Sequence, residues 1–457
     1  MNNTAKANDR KEKAVEEYAD QDVYQPVPMG KRTSWYSFLA IFIGMWASLA
    51  AMGGGVDLGL KLTPWKASLG LFLGYMVCLA YGYFVGEVGR KEGLSTPALF
   101  GRPYSRLGRI LPAFFVFGIA GIFIGVQADG VGRVIMDVFG WQEAAIAGFI
   151  TNRAIFSAVL CAIMMVTAYY GIKYIKIVSW VAMPFYLGVL VVALVLGVKS
   201  YPGGLSSILT IEAHEATFEY AFFLGVALYA GFSALLPDVT RFVRTRQGLI
   251  RALVIGYVIS TFIPIWGVVI ANVHGVVYWK IFSIYGIGFG VIAAVALFLA
   301  QWTTNDNNCF TSGLGLATVL RALNEKWGKV PRLTRKSATL VPAILGVVIA
   351  FVGSGAIAPL LMFVGALGSW LPPMAGVFIA HFWVVERRSK AKIETKGVAG
   401  LVAWIAISLL VHLGIMPWAG IMGVLGSFLL YLILYYGVEK RIFGENIVGE
   451  LVKEESA

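Results

Sequence analysis

The fold class that this sequence predicts is an all-α integral membrane protein with twelve transmembrane helices, and three observations predict it. Hydrophobic residues make up 58% of the 457 and charged residues only 14%, with a mean hydropathy of +0.76; a soluble domain carries roughly 25% charged residues. The apolar residues fall in runs near 35–58, 67–88, 110–138, 154–172, 175–198, 218–240, 248–272, 287–320, 338–353, 356–385, 397–414 and 418–438, most of them close to or above the ~20 residues a helix needs to cross a bilayer. The runs are continuous and not alternating, which excludes a membrane β-barrel.

Charge gives the orientation. With twelve spans and the N-terminus inside, all but six of the 37 Lys and Arg fall on the cytoplasmic side, the positive-inside pattern. The net charge of +12 follows from it and needs no nucleic-acid partner. Residues 1–34 are charged and lack an apolar core, so they read as a cytoplasmic tail, disordered up to Tyr24, and not as a cleaved leader. Residues 439–457 read as its C-terminal counterpart. Cys78, Cys161 and Cys309 lie within spans without CxxC spacing, and His214, His274, His381 and His412 share no ligand spacing, so neither disulfide nor metal centre is expected.

The first span carries Gly44 and, further on, Gly53-Gly54-Gly55. Glycine costs up to about 1 kcal/mol against alanine inside a helix, so the run reads either as close helix packing or as a broken helix whose freed carbonyls face a cavity. The sixth span, with Gly225, Gly231 and Pro237, repeats the pattern five spans later. Paired interruptions at corresponding places predict a five-plus-five inverted repeat with broken helices 1 and 6, the pointer to a carrier with a midplane site. The repeats are 35–198 and 199–386, and spans eleven and twelve (387–438) are peripheral. The loop from Gly89 to Gly108 reads as a connector whose arginines are solvated, and Pro372-Pro373 as a kink in the tenth span.

The polar octet Gln301-Trp302-Thr303-Thr304-Asn305-Asp306-Asn307-Asn308 sits inside one long helix, 287–320. Polar groups at that depth need an ion, a substrate or a polar helix as partner. Hydroxyls of Thr303 and Thr304, with carbonyls of an unwound partner helix, supply the hard oxygens that a sodium ion prefers; the alternative is that they bond back to their own helix. Asp129 in the third span reads as paired with Arg133 four residues on, or as a proton or substrate-charge group.

Trp302 to Asn307, Ser312-Gly313-Leu314-Gly315, Asp238-Val239-Thr240-Arg241-Phe242, Leu371-Pro372-Pro373-Met374-Ala375-Gly376, Ser34-Trp35 and Gly44 together resemble the nucleobase–cation symporter family, on its cytosine and purine permease side. The resemblance implies a leucine-transporter-type fold and import of a nucleobase or related planar heterocycle with Na⁺ or H⁺ by alternating access. It implies a Na⁺ site from the hydroxyls of Thr303 and Thr304, the Ala300 carbonyl and first-span carbonyls at Gly44, Ala47 and Ser48. It implies a stacked substrate site with Tyr229, Gly231, Phe232 and Ser233 in the sixth span; Asn305, Asp306 and Asn307 read either as bonding across helices or as bordering the substrate. The third span departs from the cytosine-permease pattern, with Ile119 and Ile122 where glutamine and tryptophan stand, so Phe123 and Gln127, an aromatic-plus-amide pair on one helix face, are the expected third-span ligands. Hydantoin, allantoin and pyrimidine-vitamin-precursor carriers are alternative readings, as is a channel. No nucleophile–base pair or cofactor loop suggests an enzyme, and no cofactor is expected beyond the coupling ion. The expected setting is the cell membrane, with both termini cytoplasmic, the lipid bilayer as partner and the chain as a monomer.

Overall fold

A computed structural model describes residues 24–148, 150–328, 333–353 and 357–451. The first apolar run forms two helices, α1 (Tyr36–Gly44) and α2 (Leu49–Gly59), bent by 50° at the break between them. Ser48 is extended there, and its Oγ accepts the Ala51 N–H at 3.1 Å, the N-cap that starts α2. The break therefore precedes the triple glycine, which is helical. At Gly55 an added Cβ would lie 2.0 Å from the Pro264 carbonyl oxygen, and at Gly267 one would lie 2.5 Å from that of Met52. The glycines let α2 and its partner pack backbone to backbone.

The chain continues through α3 (Pro64–Glu92), α4 (Ile110–Val138), α5 (Asn152–Tyr170), α6 (Ile172–Ser200), α7 (Phe218–Ala234), α8 (Arg246–His274), α9 (Gly286–Trp327), α10 (Arg335–Val352), α11 (Ile357–Ala380), α12 (Val398–His412) and α13 (Ala419–Leu434). By length and composition ten helices of the described residues can cross a membrane, and eleven if the bent α1–α2 pair counts as one. The run expected at 397–414 forms only the 15-residue α12. The expected interruption of the sixth span at Gly225 to Ser233 also moves. α7 is regular through both glycines and ends at Ala234, and a four-residue helix, Pro237–Thr240, restarts after Leu235-Leu236. Proline fits the first turn of a helix, where its missing N–H costs nothing, so Pro237 marks the restart. Gly225 instead admits the Leu71 carbonyl, 2.6 Å from an added Cβ.

Packing follows a pattern. α2 lies along α8, α7 lies along α3, α3 meets α8, and α4 runs against α9. α9 is one 42-residue rod.

Two short antiparallel ribbons depart from an all-helical chain: β1 (Ala145–Ala147) with β2 (Ile150–Thr151), and β3 (Ala391–Glu394) with β4 (Asn446–Glu450). The second engages the C-terminal segment expected to be a free tail. Buried Glu439 accepts N–H bonds from Lys396, Gly397 and Ala399 at 2.5–3.1 Å, at the start of α12. Residues 24–35 are also docked: Val27 N–H donates to Gly93 O at 2.9 Å and Thr33 N–H to Phe242 O at 3.0 Å. The tail expected to be disordered up to Tyr24 otherwise lies outside the described residues. Nor is the Gly89–Gly108 connector all solvated, since Arg102 pairs with Glu386 at 3.0 Å and with Glu92. These basic clusters mark one end of the bundle, the basic face.

Candidate functional site

α9 passes the end of α1, and three side chains of its octet close on the break. Thr303 Oγ1 donates to the Ala300 carbonyl at 2.8 Å and lies 3.2 Å from the Gly44 carbonyl. Thr304 Oγ1 donates to the same Gly44 oxygen at 2.8 Å. Gly44 ends α1, where helix carbonyls are unsatisfied and carry the negative end of the helix dipole. An added Cβ at Gly44 would lie 2.6 Å from Thr303 Oγ1, so only glycine permits this approach. Among the described residues, the Ala47 carbonyl receives no backbone N–H. Four of the expected ion ligands, Gly44, Ala300, Thr303 and Thr304, thus meet, with Ala47 in the adjoining turn. The Ser48 carbonyl instead accepts the Met52 N–H at 3.1 Å, and its hydroxyl is the N-cap of α2.

Gln301, from the same octet, spans to the other half-helix. Its Oε1 accepts the Leu49 N–H at 2.8 Å, and its Nε2 donates to Asn305 Oδ1 at 3.0 Å. Asn305 Nδ2 in turn donates to Ile124 O at 3.2 Å, with Met164 Sδ at 3.3 Å. Asn305 therefore joins helices and does not border the cavity described next. Asp306 accepts Thr167 Oγ1 at 2.5 Å, and Asn307 Nδ2 donates to Thr303 O at 2.7 Å.

About one helical turn farther along α9, toward the basic face, lies a cavity of about 40 Å³. Its walls are aromatic and aliphatic: Phe115, Ile119 and Phe123 on α4, Leu228, Gly231 and Phe232 on α7, Leu367 and Leu371 on α11. Its polar side chains are Asn308 and Thr311. Asn308 is buried, and its Nδ2 has no hydrogen-bond partner among the described residues, a costly state in an apolar interior. Phe123 stacks on Phe363 at 5.5 Å and 17°.

Of the expected substrate residues, the cavity collects Phe123, Gly231 and Phe232. Helix periodicity explains the division on α7: Leu228, Gly231, Phe232 and Leu235 recur at helical spacing toward the cavity, while Tyr229 and Ser233, four apart, share another face. Tyr229 stacks on Trp46 at 4.7 Å and 9°, in the α1–α2 break, and meets Tyr75 and Tyr257. Ser233 Oγ bonds the Tyr257 hydroxyl at 2.5 Å and the Tyr229 carbonyl at 2.9 Å. Gln127 lies one turn beyond Phe123, fully buried, and neither amide atom has a partner among the described residues. The sequence reasoning missed Asn308, Thr311 and the capping role of Gln301. The signal was present, because Thr304, Asn308 and Thr311 are spaced i, i+4, i+7.

Asp129 departs from its expected pairing with Arg133. Its carboxylate takes hydrogen bonds from Arg153, at the start of α5, and from Ser157 Oγ at 3.0 Å. Arg153 also donates to Gly353 O at 2.8 Å and Glu143 at 2.9 Å.

Residues 26–400 match the family model described as permease for cytosine/purines, uracil, thiamine, allantoin. The chain is 28% identical over 417 residues to the cytosine permease of Escherichia coli (strain K12), covering 90% of this chain and 93% of that one. It is 24% identical over 409 residues to the allantoin permease of Bacillus subtilis (strain 168), covering 79% and 78%. Among solved structures it is similar to the closed conformation of Mhp1, a nucleobase-cation-symport-1 family transporter with bromovinylhydantoin bound, at TM-score 0.73 and 18% identity over 93% and 96% of the two chains. A Na⁺-coupled sialic acid symporter in its outward-open state aligns at TM-score 0.63 and 14% identity, over 92% and 93%. These likenesses show the fold, that of the leucine-transporter type.

Proposed function

The chain belongs to the family of permeases for cytosine, purines, uracil, thiamine and allantoin, and from that premise we propose that it imports a nucleobase-like planar heterocycle by sodium symport. The observation that carries the ion assignment is the meeting of Thr303 Oγ1, Thr304 Oγ1, the Ala300 carbonyl and the Gly44 carbonyl within 2.8–3.2 Å hydrogen bonds at the end of a half-helix. All four are neutral, hard oxygen donors, which suits a weakly charged cation shed of water. When sodium enters, the hydroxyl protons turn away from the carbonyls and all four oxygens face the ion. Ala47 supplies a further carbonyl from the unwound turn.

The ring binds in the aromatic cavity, with its flat faces against Phe123 and Phe232 and its polar edge on Asn308 and Thr311. Gly231 permits close approach of the α7 backbone. Asn305 serves by holding α4 and α5 against α9, Tyr229 by anchoring α7 to the α1–α2 break, and Ser233 by tying α7 to α8 through Tyr257. At about 40 Å³ the cavity holds a few waters, so admission of a ring requires α11 to part from α4 at the Phe123–Phe363 stack. Gln127, just beyond that stack, then meets the entering ring. Ion and substrate stabilise the same state, so each raises the affinity for the other by one factor.

Two architectural readings accompany this. The pairings α2 with α8 and α7 with α3 exchange under a shift of five spans, while α3 with α8 and α4 with α9 map onto themselves; this supports repeats of 35–198 and 199–386. The basic face is cytoplasmic in the cell membrane, and one chain supplies every group of both sites, so the monomer is the transporting unit.

The test is uptake of labelled cytosine, hypoxanthine, uracil, allantoin and hydantoin into proteoliposomes across a sodium titration, with counterflow to establish exchange. Sodium-dependent uptake of at least one ring, lost from half-saturation in Thr303→Ala and Thr304→Ala, is expected. Normal sodium titrations in both variants would overturn the ion site, and uptake driven by a pH gradient alone would assign the proton instead.

A further inference from the structure

Asp238 belongs to neither of the two sites above. It lies in the four-residue helix Pro237–Thr240 that restarts the chain after α7, and its side chain is fully buried. One carboxylate oxygen, Oδ1, accepts the Thr96 N–H at 2.8 Å, at the start of a short helix, Thr96–Leu99, within the Gly89–Gly108 connector. The other, Oδ2, has no hydrogen-bond partner among the described residues, and neither has the buried hydroxyl of Thr96. The Thr311 hydroxyl faces the same carboxylate. Thr311 also lines the ring cavity, as does Leu235, three residues before Asp238. Asp238 therefore stands between that cavity and the basic face, to which the connector belongs.

A bare carboxylate oxygen in an apolar interior is costly, and buried charges are paired or bind a cation. Among the described residues no ion pair reaches Asp238. Arg241, three residues on, donates through Nε to the Asp238 backbone carbonyl at 3.3 Å and holds its guanidinium over the Phe242 ring at 4.7 Å, so its charge acts on the carboxylate only from farther off. What converges on Oδ2 is oxygen, from Thr96 and Thr311. Hard cations take such ligands, and the charge on the ligands sets the affinity.

We propose that Asp238, Thr96 and Thr311 form a second sodium site, on the basic-face side of the ring cavity. Resting on the sodium symport proposed above, this site adds a charged station to it. Thr304, Asn308 and Thr311 recur along one face of α9, so an ion leaving the neutral oxygens at Gly44 passes Asn308 and Thr311 and meets a carboxylate before the basic face.

Binding of ²²Na⁺ to the purified full chain without substrate, read by scintillation proximity, tests this in variants whose thermal melts show that they fold. The wild type should show two classes of site. Thr304→Val should weaken the class at Gly44 and leave the inner one. Asp238→Asn, whose amide oxygen still accepts the Thr96 N–H, should lose the inner class and leave the other. Thr96→Val, which keeps the shape and the backbone N–H, should weaken the inner class alone, by about tenfold. A single class that Thr304→Val weakens and that Asp238→Asn and Thr96→Val leave in place would overturn the inner site. A single class that Asp238→Asn removes and Thr304→Val leaves would keep the inner site and overturn the one at Gly44.

Discussion

Thr303 and Thr304 each bring one hydroxyl to the end of α1, so valine, which keeps shape and removes the oxygen, isolates its contribution. Thr304→Val is expected to raise the sodium concentration for half-maximal uptake about tenfold or more, since the Gly44 carbonyl loses its partner and the ion one ligand; a sodium titration of uptake at fixed substrate checks it. Asn308 is the polar contact of the proposed ring site. Its Nδ2 has no partner among the described residues, so Asn308→Ala should leave thermal stability nearly unchanged while weakening substrate affinity by about 1–2 kcal/mol, roughly tenfold, read by scintillation proximity binding at saturating sodium. Unchanged affinity would place the ring elsewhere. These residues were legible to different degrees. The octet stood out because polar groups inside an apolar run are costly, and its threonines and Ala300 do meet Gly44. Asn305 takes the cross-helix bond that is one of its two expected readings, whereas position in a motif points Tyr229 to the substrate and its face on α7 turns toward Trp46.

At the scale of elements, the triple glycine offers a matched comparison. A Cβ at Gly55 would enter the Pro264 carbonyl at 2.0 Å, whereas at Gly54 the nearest atom is Leu228 Cδ1 at 3.5 Å. Gly55→Ala should therefore lower the unfolding temperature in detergent and Gly54→Ala should raise it slightly or leave it, because alanine favours helix by about 1 kcal/mol over glycine. Equal effects would mean that α2 does not need close approach to α8. The same contrast explains where the sequence misled about the breaks. Glycine lowers helix propensity, but tertiary packing decides, and here close contacts hold Gly53–Gly55 and Gly225 in regular helix. The interruptions fall where capping groups exist: Ser48 and Gln301 for α2, Pro237 for the restart after α7.

At the scale of the molecule, ten or eleven of the twelve expected spans were readable from hydropathy, because the bilayer imposes length and composition on every crossing element. The β3–β4 ribbon, the docked C-terminal segment and the partner of Asp129 were not, since each depends on residues far apart in sequence. Asp129 shows the cost of such a link. Arg153 joins α4, α5 and the end of α10, so Arg153→Ala would strand a buried carboxylate and should destabilise by about 3–5 kcal/mol; Asp129→Asn in the same chain should recover part of that, measured by thermal unfolding. Glu143, also on Arg153, adds a pH signature outside the membrane. Partial burial pushes its carboxyl up, but hydrogen bonds from Arg153 and Thr151 outweigh this and hold it below its ordinary value of 4.5. A depressed folded value means that its contribution is complete above pH 4.5 and fades as acid carries the pH through the folded value, so acid sensitivity below pH 4.5 should diminish in Glu143→Gln. One further consequence follows from α9 gripping both halves of the first span, α1 through Gly44 and α2 through Leu49. A rigid rod clamped to two limbs of an elbow ties the opening of that elbow to the spacing of the oxygens at its crook, so under the proposed function cation occupancy and elbow angle are a single variable.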